Sequence, residues 1–453
     1  MRIGVLSRRA PIGQTSDLTA TLEHVGGLTR VLPALAEFAD INWTALTTQS
    51  QVGLPKHYSL AKVSGQDYRN HIDIFLAEVD EIELNQSDWF CANYVWPLLH
   101  DLPMPKIADE ELEHYFTAMS SISSSMVAEC VDSENDGYFV NDFQLSQVSL
   151  ALRGIEPAKQ ISFFLHTPWP KSVPTSGNAI KILEFLASGI LTADVIQFQT
   201  QKDLQAFNEF VANHLPTDEV SEKLLVNSVS VNVQQLQTQL NSNEDSTNLR
   251  DDEISYVHIA RTDPVKNTLA SINAFTRLAL DFKVAAPRKY LDLYIVPSRQ
   301  QWPIYQKLLA EIVQVAEECN SKLSLLNYAP IRLHIGNDYQ RAIQALARYD
   351  YLIVCSVADG LNLVVKEGAT LNSRSGVIIS TRPVGAMAEL GEFCVVADGV
   401  DEADIANALE EAGNLPNEAR QEMSLQLKAF VSKFDANYWA QSVVAHFKIL
   451  EKV

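Results

Sequence analysis

Short apolar runs alternate with stretches of helical periodicity along most of this chain, and that alternation restricts the fold more than any other feature. Strand-sized runs separated by helices long enough to cross back over a sheet form parallel pairs, so the pattern predicts an α/β architecture of doubly wound sheets. Strands are expected at Ile3–Leu6, Ile161–Leu165, Val195–Phe198, Ile254–Ile259, Leu291–Val296, Tyr351–Cys355 and Val377–Ser380. Between them lie amphipathic helices such as Gly26–Phe38, where Leu28, Val31, Leu32, Leu35 and Phe38 recur at near-helical spacing. A chain of 453 residues exceeds one ordinary core. The polar stretch Thr238–Glu253 has no apolar face to bury and reads as the divide. The expected units are therefore 1–237 and 254–435, followed by a closing amphipathic helix over 436–453.

Charge narrows the partners. With 56 acidic against 35 basic side chains the net charge is −21, which would repel nucleic-acid phosphates and anionic membranes. The five cysteines (Cys91, Cys130, Cys319, Cys355 and Cys394) are scattered without CxxC spacing, as expected of reduced thiols in a cytoplasmic protein. The N-terminus lacks a signal-peptide apolar core, and no apolar run approaches the ~18 residues of a membrane helix. A soluble intracellular protein is expected.

Open α/β sheets bind ligands beyond the carboxyl ends of their strands. Six such ends carry chemistry here. In "HIARTDPVKN" the cations Arg261 and Lys266 bracket a proline turn after a strand. A diphosphate would suit a forked guanidinium beside a point-charge ammonium, and salt bridges with Asp263 are the plain alternative. In "YLIVCSVADGLNLVVKEG" a strand runs through Asp359-Gly360 into a helix beginning near Asn362. Its N–H groups would suit a phosphate, Asp359 sugar hydroxyls and Glu367 a ribose; alternatively Asp359 only caps the helix and Glu367 pairs with a lysine. Arg8 and Arg9 follow the first strand, and Gly26-Gly27 opens the next helix, resembling a phosphate cradle without being GxGxxG. His166 ends a strand in "FFLHTPWP", Asp142 follows Tyr138–Val140, and Arg299 follows "YIVPS".

Absences matter as much. There is no HExxH, zinc-like Cys–His spacing, P-loop, DxD or GxSxG. No metal site is therefore expected, and Arg261 and Lys266 would have to offset a diphosphate's charge.

Taken in order, "SRRAP", "VGGL", "ND", "FFLHTPWP", "RTDPVKN", "VPSR" and "DGLNLVVKE" resemble the trehalose-6-phosphate synthase family of retaining glycosyltransferases, from Ser7 nearly to the C-terminus. The resemblance implies the GT-B fold: two doubly wound Rossmann-like domains facing across a cleft, acceptor on the N-terminal one and nucleotide sugar on the C-terminal one. It implies that Arg261 and Lys266 bind the diphosphate, Glu367 the ribose, and Gly27 with the backbone of Gly360, Leu361, Asn362 and Leu363 the diphosphate or sugar. His166 and Asp359 would meet donor-sugar hydroxyls. Arg9 and Arg299 would clamp the acceptor phosphate, with Trp96 and Asp142 at the acceptor sugar. A nucleoside diphosphate sugar would be the co-substrate, with no separate cofactor and no metal, and assembly from identical copies is compatible with this reading.

Departures exist. Thr262-Asp263-Pro264 stands where the family has Leu-Asp-Tyr, and Asn267 where it has glycine after the lysine. "RTDPVKN" resembles validoxylamine A 7′-phosphate synthase, a pseudo-glycosyltransferase, whereas "VWPLLHDLP" and "DGLNLVVKE" look closer to glucosylglycerol-phosphate synthases. Asn141 stands where a histidine precedes the acceptor-site aspartate. A catalytically silent sugar-nucleotide-binding subunit is the other class compatible with the fold.

Overall fold

The computed structural model describes residues 1–10, 27–48, 57–60, 67–131, 134–172, 177–216, 220–241, 253–282 and 287–449. Gly26 and most of the polar stretch at 242–252 lie outside the described residues. The described chain forms two compact units, each built on its own sheet.

The first sheet holds β1 (Arg2–Ser7), β2 (Asp40–Thr48), β3 (His57–Leu60), β4 (Ile72–Val79), β5 (Gly137–Asn141), β6 (Gln160–Leu165), β7 (Val195–Phe198) and β8 (Leu224–Val226). Their spatial order is β3-β4-β2-β1-β5-β6-β7-β8, parallel except for the edge strand β3. The second holds β9 (Glu253–Arg261), β10 (Arg288–Val296), β11 (Ile331–Ile335), β12 (Tyr351–Val354), β13 (Val377–Thr381) and β14 (Val395–Ala397). Its order is β11-β10-β9-β12-β13-β14, and every pair is parallel. The central strands read as unbroken apolar runs because helices cover both faces, leaving Ile3, Val5 and Leu6 of β1 and Leu352 and Ile353 of β12 without exposure.

The strand order sets the place of any ligand. In the first sheet the chain moves outward from β1 through β2 and β4, then restarts on the opposite side of β1 with β5. In the second it moves from β9 through β10 to β11, then restarts beside β9 with β12. Each reversal opens a crevice at the carboxyl ends of the two diverging strands. Those ends, β1/β5 and β9/β12, carry four of the six motifs.

Two local expectations need correction. The helix predicted over Gly26–Phe38 is an α-helix only over Gly27–Val31 and tightens to a 3-10 helix over Leu32–Glu37. Pro33 is the cause, since it supplies no N–H for the next i→i−4 bond. The division between units falls between Val229 and Ser230, ahead of residue 237, because helix Val233–Asn241 packs against helices Tyr339–Arg348 and Leu363–Leu371 of the second unit. The C-terminal helix Ala436–Ile449 returns to the first unit, where buried Trp439 lies 6.2 Å, ring to ring, from both Phe139 and Phe164. Among the described residues no helix is long and apolar enough to cross a membrane.

Candidate active site

In the second unit β9 ends at Arg261 and the chain turns through Thr262 and Asp263 into a 3-10 turn, Pro264–Lys266. Pro264 starts that turn because its missing N–H needs no partner there. Asp263 caps it, its Oδ1 accepting the Val265 N–H at 3.1 Å. Asn267 then adopts the left-handed conformation at φ 55° and ψ 34°. Asparagine tolerates that conformation far better than most side chains, which is the physical reason it can stand where a glycine is otherwise usual. Its Nδ2 donates to the Val400 carbonyl at 2.7 Å and holds the turn down.

Asp263 is almost fully buried, and it gathers cations rather than forming a surface bridge. Arg261 lies 3.8 Å and Arg299 3.6 Å from its Oδ2. Arg299 arrives on the loop after β10, at φ 54°, and its Nη1 donates to the Tyr305 hydroxyl at 2.8 Å. That loop is stitched to the end of β9 by Thr262 N–H on the Val296 carbonyl (2.9 Å) and Ser298 Oγ on the Thr262 carbonyl (2.9 Å). Two motifs separate in sequence therefore share one strand end.

Lys266 faces the other loop. Its ammonium donates to Asp359 Oδ2, which also accepts from Ser356 Oγ at 3.0 Å and Asn362 Nδ2 at 2.9 Å. Asp359 thus does not cap the helix, which runs Leu363–Leu371. Asn362 does, at φ 72°, its Oδ1 accepting from Val364 N–H. Glu367 is half-buried one turn further, and the Tyr339 hydroxyl lies 3.5 Å from its Oε1. The neighbouring Lys366, whose side chain is buried, pairs with Glu389 at 2.8 Å.

The loop Asp359–Leu361 rests on a second loop that sequence reasoning missed. Gly385 N–H donates to the Asp359 carbonyl (3.0 Å), Ala386 N–H to the Leu361 carbonyl (2.9 Å), and Asp359 N–H to the Pro383 carbonyl (3.3 Å). A Cβ at Gly385 would stand 1.8 Å from the Gly360 carbonyl oxygen, so only glycine permits this approach. The available signal was Pro383-Val384-Gly385 one residue beyond β13, one more strand end with turn residues.

In the first unit Arg8 is bound in a two-pronged pair to Asp88 (3.1 and 2.7 Å), while Arg9 is exposed just beyond β1. Gly27 opens its short helix in an exposed position. Asp142 directly follows β5 with φ 73° and ψ 163°, a conformation that costs a side-chain-bearing residue about 1–3 kcal/mol. Burial pushes its carboxyl up to about 6, against hydrogen bonds from the backbone of Phe143, Thr167 and His166 that favour the anion. Trp96 starts a helical turn after a π-helical stretch, Cys91–Val95. Its ring lies 4.1 Å from His100 and 6.3 Å from Phe143, next to Asp142.

His166 is held on every side. Its Nε2 faces Asn141 Oδ1 at 3.0 Å, its Nδ1 faces Gln199 Nε2 at 3.2 Å, and its ring stacks on Phe164 at 4.1 Å. Both amides are oriented by their other ends, Asn141 Nδ2 on the Leu6 and Phe139 carbonyls and Gln199 Oε1 on the Val229 N–H. Gln199 therefore donates to Nδ1, and Nε2 carries the proton. Burial lowers the imidazole to about 3, so it stays neutral near pH 7. The histidine offers rigidity, not proton transfer. Gln199, at the carboxyl end of β7, was missed although the strand-end rule applies to it.

A family model, Glycosyltransferase family 20, matches residues 3–449. The α,α-trehalose-phosphate synthase (UDP-forming) of Schizosaccharomyces pombe is 24% identical over 475 residues, covering 99% of this chain and 91% of that protein. A homologous synthase of Aspergillus fumigatus is 26% identical over 394 residues, 81% of this chain and 80% of that protein. The Escherichia coli trehalose-6-phosphate protein bound with UDP-2-fluoro glucose superposes with a TM-score of 0.83 at 18% identity, over 99% of both chains. A Burkholderia xenovorans synthase in complex with glucose-6-phosphate gives a TM-score of 0.80 at 18% identity, over 99% of this chain and 100% of that one.

Proposed function

The chain belongs to glycosyltransferase family 20, and from that premise we propose that it moves a glucosyl-type sugar from a nucleoside diphosphate sugar to a phosphorylated sugar or polyol, retaining anomeric configuration. One observation carries the assignment of its residues. At the β9/β12 switch point, where an open α/β sheet binds its ligand, Arg261 ends β9 and Lys266 reaches Asp359 in the loop after β12. Two cations and a backbone loop opening a helix suit a diphosphate.

On this reading Arg261 and Lys266 hold the diphosphate and offset the charge that grows on it as the glycosidic bond breaks. Lys266 exchanges part of its bond with Asp359 for the diphosphate, and Glu367 accepts the ribose hydroxyls. Arg9 and Arg299 bind the acceptor phosphate, and Asp142 accepts a hydroxyl hydrogen of the acceptor beside Trp96. The departing phosphate oxygen takes the acceptor proton, so no side-chain base is required. The neutral, doubly bonded His166 fits such a scheme. Catalysis then rests on alignment and charge stabilisation. No cofactor beyond the nucleotide sugar is needed, and five buried free thiols agree with a reducing cytoplasm.

The relatives from Schizosaccharomyces pombe, Aspergillus fumigatus and Burkholderia xenovorans are UDP-forming trehalose-phosphate synthases, which makes UDP-glucose and glucose 6-phosphate the first pair to try. The test is a matrix of UDP-, GDP- and ADP-sugars against phosphorylated sugars and polyols, read as nucleoside diphosphate released and as product linkage by NMR. Acceptor-dependent release with a retained linkage is expected. Release that ignores the acceptor, or none from any pair, would overturn the proposal.

A further inference from the structure

Two cations of the second unit, Arg261 and Arg299, converge on one buried carboxylate. We propose that Asp263 is a positioning residue that assembles Arg261, Arg299 and Lys266 into one anion-binding set. Its two carboxylate oxygens have separate tasks. Oδ2 stands 3.8 Å from Arg261 and 3.6 Å from Arg299, so one buried negative charge offsets the mutual repulsion of two guanidinium groups. Oδ1 caps the turn Pro264–Lys266 through the Val265 N–H at 3.1 Å, and the Asp263 carbonyl accepts the Lys266 N–H at 3.0 Å. The same residue therefore fixes the backbone from which Lys266 reaches Asp359. Only 1% of the Asp263 side chain is exposed, so water screens its charge poorly, whereas Arg261 keeps 47% of its side chain exposed for a ligand. The Tyr305 hydroxyl also accepts from Arg299, and Asp263 is a carboxylate that both arginines share.

The functional consequence rests on the proposed transferase reading: Arg261 serves the donor and Arg299 the acceptor. One carboxylate between them makes the two substrates' sites depend on a single residue. Losing its charge weakens both, while a residue that merely supports one loop would affect one.

Asp263→Asn separates the two tasks. The carboxamide oxygen still caps Val265, but its NH2 now faces the guanidinium groups. Asp263→Ala removes both. For Asp263→Asn we expect at least tenfold weaker binding of UDP, ADP or GDP, whichever wild type binds, together with at least tenfold higher KM for glucose 6-phosphate. The fall in kcat should be smaller than either. Asp263→Ala should lower kcat further by loosening Lys266. Nucleotide affinity and acceptor KM both within twofold of wild type in Asp263→Asn would overturn the proposal, as would an effect on only one substrate. Crystal structures of wild type and Asp263→Asn supply an arm that needs no substrate. Displaced Arg261 and Arg299 guanidinium groups support the positioning role, and unmoved ones refute it. A wild type that binds no nucleoside diphosphate would defeat the transferase reading instead, and the crystallographic arm would still decide the role of Asp263.

Discussion

Replacing Gly385 by alanine tests how the sugar-nucleotide loop is held. The new Cβ would lie 1.8 Å from the Gly360 carbonyl oxygen, 2.6 Å from its carbon and 3.1 Å from the Leu361 Cα. All three are backbone atoms, so no side chain can swing aside. Relief requires the loop at Gly360 to retreat by about 1 Å to reach the closest contact real Cβ atoms show. That movement strains or breaks the two hydrogen bonds from Gly385 and Ala386. Overpacking of about 1–3 kcal/mol and two bonds of about 1 kcal/mol each give a loss of about 3–5 kcal/mol. For a unit of this size each kcal/mol lowers Tm by about 2–4 °C, so a fall of about 6–20 °C is expected. A displacement of about 1 Å next to reacting groups costs turnover by about a hundredfold, well beyond what the stability loss alone would do at 25 °C. The assay pairs thermal unfolding with kcat/KM for the nucleotide sugar. Gly413→Ala serves as control, because a Cβ there meets nothing within 4 Å. A Gly385→Ala enzyme with unchanged Tm and kcat/KM within twofold of wild type would refute the reasoning.

Further expectations follow from the same geometry. Lys266→Ala and Arg261→Ala should each lower kcat/KM by about 10²–10³-fold, the scale of a lost transition-state charge contact, and unchanged kinetics in both would remove them from the diphosphate site. Activity should survive exhaustive chelation by EDTA, since no DxD occurs and among the described residues no group of three or more His, Cys, Asp or Glu could hold a metal; full dependence on restored Mg²⁺ or Mn²⁺ would contradict this. Asp142, raised in the fold to about 6 from an ordinary value of 3.8, binds its proton more tightly folded than unfolded. Its ionisation therefore erodes stability as pH rises from about 4 to about 6. Asp142→Asn, which keeps the side chain's size and the backbone strain, should gain Tm relative to wild type across that window, and a constant difference between pH 4 and pH 7 would reject the shifted carboxyl.

Much of this was legible because apolar runs and turn residues are local signals. β7 falls at Val195–Phe198 as expected, Arg261 ends β9, and Lys266, Asp142 and Arg299 follow strands. Contacts made across the fold were not legible. Asp263 reads as a competitor for Arg261, and only the loop after β10 reveals that Arg299 shares it. Gly385 lies 25 residues from Gly360, and nothing local announces that the two backbones touch. Asn267 looks like a departure until its left-handed φ shows that asparagine can occupy a glycine's conformation. His166 stands where a ligand contact was expected, but its neighbours Asn141 and Gln199 come from other strand ends and occupy both nitrogens. The C-terminal helix is placed by contacts far away in sequence, such as those of Trp439 with aromatic rings on β5 and β6.

The most direct measurement compares glucose 6-phosphate with glucose as acceptor, using UDP-glucose and following UDP release by wild type and Arg9→Ala. Wild type should release UDP with the phosphorylated acceptor and at most a few per cent as fast without the phosphate, a discrimination of about 2 kcal/mol or more from charged hydrogen bonds. Arg9→Ala should lose most of that preference. Equal use of glucose by wild type, or an undiminished preference in Arg9→Ala, would contradict the account.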